Sequence, residues 1–369
     1  MNKNKSLMQK NLPSFTPVYI TERGEAVESV RFGAAAIVNS KAEVIAGIGD
    51  SQAVTFLRST AKPFQVMPFL ENGGADLYRL SDLEVAVMCS SHSGTDEHVE
   101  VIRGIQAKTG VSETELLCGI HYPIDNAIRE KMIIDGEEAH PNHHNCSGMH
   151  TALVSRENMM EKGGWAENEK VNYTEREHQV QGEILSAVSN MSSLQVKEVK
   201  IGVDGCSVPT FGLPLQNAAL AYARLCDPEN GAVQPGERAA ACRLIFTSMT
   251  ACPEMVAGPG RFDTCLMQAA RGGIVSKSGA EGVHAIGLMP GFLEPGSPGI
   301  GVFIKISDGD EKGDAGPAVA IALLDALGAL DSKMKSDLSS FGPDLPVLNC
   351  SNYLVGRGYP IFKLEFVEN

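Results

Sequence analysis

The apolar residues of this chain change their period along its length, and that change constrains the fold more than any other feature. Near the N-terminus, SVRFGAAAIVN (29–39) and AEVIAGIGD (42–50) are strand-like runs joined by a short Ser-Lys link, a hairpin signature. Late in the chain, GVHAIGLM (282–289) and GIGVFIKISD (299–308) again read as strands, separated by the Pro/Gly-rich stretch 290–298. Between these ends the spacing is helical. TDEHVEVIRGIQAKTG (95–110) puts Val99, Ile102 and Ile105 on one face with Gly110 as a stop. Residues 176–190 and 213–226 repeat the three- and four-residue spacing, the latter with a stripe of Leu215, Ala219, Tyr222 and Cys226. VKIGVDGCSVPTFGLP (199–214) starts like a strand and breaks into a Gly/Pro loop, and LEVAVMCSSHSG (83–94) is a short buried run ending in a small-residue turn. AGPAVAIALLDALGAL (315–330) is a strongly apolar helix with Pro317 in its first turn. Regular β-α-β alternation is missing, so the expected class is α+β: an antiparallel sheet from the N- and C-terminal parts with a helical middle. With no repeat and no clean linker, residues 15–365 are expected to form one domain, a sheet layer plus a helical layer, behind a flexible tail at 1–14.

Charge and cysteine usage narrow the functions. The net charge is −14, from 45 acidic and 31 basic residues, a surface that repels phosphate backbones and disfavours nucleic acid as a partner. No run approaches the roughly 18 consecutive apolar residues of a membrane span. MNKNKSLMQKNLPSF has lysines but no apolar run behind them, unlike a secretory signal. Nine cysteines, an odd count in a chain long enough to need no staples, suggest reduced thiols and a cytoplasmic location.

Common catalytic signatures are absent. Gly47-Ile48-Gly49 is followed by Gln52 where a dinucleotide loop has its third glycine, no phosphate loop occurs, and GCSVP (205–209) lacks the last glycine of a nucleophile elbow. What remains is RSTAKPFQ (58–65). It reads either as an ordinary helix start or as a nucleophile with its base. A serine hydroxyl needs a base within hydrogen-bond reach, and residues three apart on a helical turn share a face. Ser59 and Lys62 therefore meet if a helix begins here, as Pro63 favours. A free lysine is protonated at neutral pH, but burial or a second cation lowers its pKa, and Lys277 in VSKSG is a candidate for that cation. Ser-x-x-Lys alone is a frequent chance match. The ordered set Ser59-x-x-Lys62, Ser91-His92-Ser93 and Lys277-Ser278-Gly279 is more specific. It resembles the order of the serine β-lactamase and penicillin-binding-protein group, with Ser93 in place of asparagine.

A closer likeness rests on five blocks together: FLRSTAKPFQ, CSSHSG, HHNCSGMH, GVDGCSVP and SKSGAEGV. They resemble the Rhizobium-type L-asparaginases over about residues 15–365. The resemblance implies a serine-β-lactamase-like fold, a homodimer, and an amidohydrolase converting L-asparagine to L-aspartate and ammonia. It implies Ser59 as nucleophile with Lys62 as its base, and Ser91 and Lys277 as a second pair that relays protons and lowers the Lys62 pKa. It also implies that Arg58 and Asp204 hold the substrate, with His150 at its pocket. A guanidinium suits an α-carboxylate and a carboxylate suits an α-ammonium. Without a substrate role, Arg58 would form a surface or structural salt bridge, and Asp204 would be a turn residue hydrogen-bonding its own backbone. Zinc in that family is bound by cysteines matching Cys146 and Cys206 and by a lysine three residues after the first. Here that position is Met149, a poor zinc ligand, leaving His150 or a water to substitute, or a buried thiol pair instead. His140, His143 and His144 are expected on the surface or in loops. Two other functions fit the same residues: a β-lactamase- or esterase-like hydrolase, and a non-catalytic amino-acid-binding protein. Glutamine, one methylene longer, is expected to be a weak substrate at best, although a methylene discriminates by only about 1–3 kcal/mol.

Overall fold

The computed structural model describes residues 13–163 and 171–367; residues 1–12 of the expected tail lie outside the described residues. Twelve strands are present among the described residues. In the N-terminal part they are β1 (Thr16–Arg23), β2 (Ala26–Asn39), β3 (Val44–Ile48) and β4 (Val54–Phe56). Mid-chain come β5 (Lys200–Val203) and β6 (Pro209–Pro214). The C-terminal part holds β7 (Ile274–Gly279), β8 (Val283–Leu288), β9 (Ile300–Ile306), β10 (Leu345–Leu348), β11 (Leu354–Pro360) and β12 (Glu365–Phe366).

The main sheet runs β10-β11-β1-β2-β9-β8-β7, with β3 and β12 branching from β2, and every pairing is antiparallel. The expected hairpin is the β2–β3 pair, with Ala36 opposite Gly47. The mixed α and antiparallel β class therefore holds, and the sheet does draw on both chain ends. A second, three-stranded sheet, β4-β6-β5, sits apart from it.

From Gly33 to Asn39 β2 is buried on both faces, and its alternation divides the interior in two. Ala34, Ala36 and Val38 join one core with the mid-chain helices, while Ala35 and Ile37 join another beneath Phe262–Ala269 and Ala315–Ala326. Helices thus cover both faces of the sheet, one more layer than the sequence suggests. On the first face the helix Leu215–Cys226 lies close to β9. A Cβ at Gly301 would fall 1.8 Å from the Ala219 carbonyl oxygen, so this approach requires glycine. The expected stripe of that helix is its buried face: Leu215, Ala219 and Tyr222 are fully covered. Thr95 caps the helix Asp96–Thr109, and Gly110 ends it in the left-handed conformation. Among the described residues no helix is long and apolar enough to cross a membrane.

Candidate active site

The segment after β4 turns sharply. The Leu57 amide donates to the Phe211 carbonyl of β6, Arg58 takes a left-handed φ of 49°, and Arg58–Ala61 form a 3-10 turn that runs into the helix Lys62–Glu71. An arginine in that backbone region is strained, a feature that concentrates at functional positions. Pro63 sits in the first turn of the helix, as expected. The turn is fixed from behind by Tyr222, whose hydroxyl donates to the Thr60 carbonyl at 2.8 Å and whose ring meets Phe64 edge-on.

Lys62 and Lys277 are both buried, and both reach one hydroxyl. Lys62 Nζ lies 3.0 Å and Lys277 Nζ 2.8 Å from Ser91 Oγ. Lys62 also donates to the carbonyls of Ser90 (2.6 Å) and Asn145 (3.0 Å), and Lys277 to that of Ser278 (2.7 Å). Among the described residues no hydrogen bond joins Ser59 Oγ to Lys62. The two residues share a turn, but the Lys62 amine points to Ser91. Ser91 is itself anchored: its amide donates to Val256 O at 2.9 Å, and Arg261 Nη1 donates to its carbonyl at 2.6 Å. Burial pushes the Lys277 amine down to about 7; Asp263 opposes this, while Lys62 and Arg261 add to it. β7 is the edge strand of the sheet and runs against the 58–61 turn; a Cβ on Gly279 would come within 3.2 Å of the Ser59 amide nitrogen. Ser93, at the position of doubt, donates to Ala257 O at 2.9 Å and pins its own loop.

Arg58 and Asp204 meet. Arg58 Nε and Nη2 lie 3.0 and 2.9 Å from Asp204 Oδ1, both side chains are partly exposed, and Glu281 stands 3.7 Å from Arg58 Nη1. Asp204 opens a tight turn in which its amide donates to Val208 O and its carboxylate accepts from the Gly205 amide, with Ser207 at φ 76°.

The histidine-rich segment takes a different form. His143 and His144 lie in a loop and 3-10 turn but are buried, and half-buried His140 pairs with Glu113. His150 is fully buried; its Nδ1 contacts the Tyr173 hydroxyl at 2.8 Å, and among the described residues its Nε2 has no hydrogen-bond partner. Burial holds it neutral, with a pKa down to about 3. Cys146 and Cys206 hydrogen-bond to each other. That contact holds the Cys146 thiol well below its ordinary value and pushes the Cys206 thiol up. Zinc requires a tetrahedral set of nitrogen, thiolate or carboxylate donors. Among the described residues no group of three His, Cys, Asp or Glu side chains is arranged to hold a metal ion. The third position carries the Met149 thioether, so these residues do not fit zinc.

Several contributors carry no motif. Asn145 acts through its carbonyl, Arg261 and Asp263 lie beneath Ser91 and β7, and Tyr173 links His150 to the Leu117 amide. A histidine between two serines at 91–93 was the nearest available signal for a further link: His92, fully buried, contacts Ser147 Oγ at 2.9 Å and joins the Ser91 loop to the helix Ser147–Lys162.

Residues 20–358 match the L-asparaginase II family, so the chain belongs to that family. Membership places it among the amidohydrolases. No curated protein matches the chain. Among solved structures, the Bacillus subtilis glutaminase YbgJ in covalent complex with 5-oxo-L-norleucine is 12% identical, with a TM-score of 0.37 over 81% of this chain and 89% of that one. A Bacillus glutaminase in 4.3 M NaCl is 12% identical with a TM-score of 0.36, over 80% and 90% of the two chains. Mglu in its tris and glutamate form is 15% identical with a TM-score of 0.37, over 81% and 60%. Similarities this low carry no argument about mechanism.

Proposed function

We propose that the protein hydrolyses L-asparagine to L-aspartate and ammonia through an acyl-enzyme on Ser59, in a serine-β-lactamase-like domain. The observation that carries this reading is the convergence of two buried amines on Ser91 Oγ, beside the turn that presents Ser59. Lys62 donates to that hydroxyl. The Ser91 proton is then free to point at Lys277, which is half neutral near pH 7. Passage of one proton from Lys62 through Ser91 to Lys277 leaves a lone pair on Lys62, which can turn to Ser59.

The remaining steps follow. Ser59 Oγ attacks the side-chain amide carbon, and its proton passes to Lys62. The oxyanion is held by the Ser59 amide and an amide just after Lys277, where β7 meets the turn; one such donor is worth about 3 kcal/mol. The lysine–serine relay protonates the amide nitrogen, the C–N bond breaks, and ammonia leaves. Water then attacks the ester, giving one proton to the relay, which hands it to Ser59 Oγ as the acyl–oxygen bond breaks and L-aspartate leaves. Arg58 holds the α-carboxylate and Asp204 the α-ammonium; without substrate the two neutralise each other. Zinc enters no step.

The anchoring pair favours a free amino acid over a β-lactam or ester, which do not need both charges met. Assays of ammonia release from asparagine and glutamine, beside turnover of a chromogenic β-lactam, test the reading. Asparagine turnover that disappears in Ser59→Ala is expected, with weak glutamine turnover. β-Lactam turnover without asparagine turnover would replace this reading, and substrate binding without turnover would make the protein a binding protein.

A further inference from the structure

Asp263 belongs to no motif, yet it is among the most heavily engaged side chains near the site. It lies in the helix Phe262–Ala269 and is 2% exposed. Its Oδ2 accepts from the Ser278 amide at 2.9 Å and the Ser278 hydroxyl at 2.6 Å. Its Oδ1 accepts from Ser276 Oγ at 2.7 Å and lies 3.1 Å from His284 Nε2 on β8. Burial alone would raise its pKa, but these contacts hold the carboxyl well below the usual range, so it is a fixed negative charge. Buried carboxylates are retained only when paired and hydrogen-bonded.

The grip falls on two residues of β7, Ser276 and Ser278, and the second has a particular neighbourhood. The Ser278 carbonyl accepts from Lys277 Nζ, and the next residue, Gly279, lies against the Ser59 amide. Among the described residues β7 pairs only with β8, and no strand fixes its outer edge. Asp263 does that from the helix beneath. An open pocket of about 580 Å³, lined by Asp263, Ser278, Gly279 and His284, adjoins this clamp, so the segment has room to shift if released.

We propose that Asp263 is a positioning residue for the reaction: through Ser278 it fixes the part of β7 that carries Lys277 and meets Ser59, and its charge faces the Lys277 amine. The inference rests on the proposed serine–lysine chemistry for its consequence in activity. The charged or titratable groups that act electrostatically on Lys277 are Asp263, Lys62, Arg261 and Cys146, with Cys89, at the end of the helix Asp82–Met88, also within reach. Asp263 is the carboxylate in that set.

The test is Asp263→Asn in the full chain, which keeps the shape and removes the charge. Two readouts apply: kcat and KM for asparagine against pH, and titration of Lys277 by NMR of 13Cε-lysine-labelled protein, the resonance assigned by its loss in Lys277→Arg. The expected result is a fall in kcat of roughly tenfold or more with KM little changed. Lys277, and the acid limb of kcat/KM with it, should move down by about one pH unit. Asp263→Glu should restore the titration in part. Ser278→Ala should lower kcat while leaving the Lys277 titration where it is. An unmoved Lys277 titration in Asp263→Asn overturns the proposal, as does an unchanged kcat. Should Asp263→Asn fail to fold, undiminished kcat in Ser278→Ala overturns it. A wild-type chain that releases no ammonia defeats the proposed function, while the NMR titration still decides whether Asp263 acts on Lys277.

Discussion

Two buried polar clusters lie side by side in this molecule, and they are satisfied in opposite ways. Around Ser91 each amine finds oxygen: Lys62 has three acceptors and Lys277 two, drawn from three separate stretches of chain. Around Cys146 the groups are softer and incompletely met, with Cys146 Sγ on Asn145 Oδ1 at 3.2 Å and His150 Nε2 unpaired among the described residues. In the proposed reaction the first cluster moves a proton over a short path. The second resembles a metal site in residue type but lacks the donor set that would make it one.

The difference can be broken or sharpened by experiment. The largest effect is expected from Ser59→Ala, which should lower asparagine turnover by about 10⁴-fold or more with the thermal melt unchanged; retained turnover would move the nucleophile elsewhere. Lys277→Arg comes next, at roughly 10³-fold in kcat, because a guanidinium cannot take up a proton in the relay. Arg58→Ala should act on KM, raising it about 10- to 100-fold through loss of one charged hydrogen-bonding group. A loss confined to kcat would show that Arg58 does not anchor substrate.

The amine cluster should also impose a pH dependence. kcat/KM for asparagine should climb as pH rises through about 7, where Lys277 gives up its proton. Stability follows the same group. The folded value of Lys277 is depressed from 10.5 to about 7, so between those values the unfolded chain holds the extra proton. Its contribution therefore weakens as pH falls across that window, and chemical denaturation of Lys277→Met should show a flatter slope there. The smallest effect belongs to the thiol cluster. Chelator treatment should leave asparagine turnover unchanged within about twofold, since no step of the proposed reaction uses a metal. Full loss on chelation, restored by zinc, would show that the two clusters work as one.

Much of the fold was legible because its signals are local. The hairpin of β2 and β3, the capped helix after Thr95 and the stripe on the helix Leu215–Cys226 each show in a window of a dozen residues. β7 did not show. Its sequence IVSKSG carries polar residues at buried positions, and their partners, Asp263, Ser91 and His284, come from other elements. The site divided similarly. Ser59, Lys62, Ser91, Lys277, Arg58 and Asp204 stand in recognisable blocks. Asn145 reaches Lys62 through a backbone carbonyl, a group every residue has, so composition cannot single it out. His150 was expected at the substrate pocket, but its burial against Tyr173 depends on a loop that its own neighbourhood does not mark.

The pairing of β2 with β9 joins residue 33 to residue 306 and residue 39 to residue 300. On the proposed chemistry Ser59 emerges early from the ribosome, but Lys277, the far amine of its relay, lies on β7, made more than two hundred residues later. A nascent chain stopped before residue 274 would carry Ser59, Lys62 and Ser91 yet lack β7, β8 and β9, and with them Lys277. Catalytic competence in such an architecture is a late event of synthesis, gained only when the two ends of the polypeptide have closed on each other.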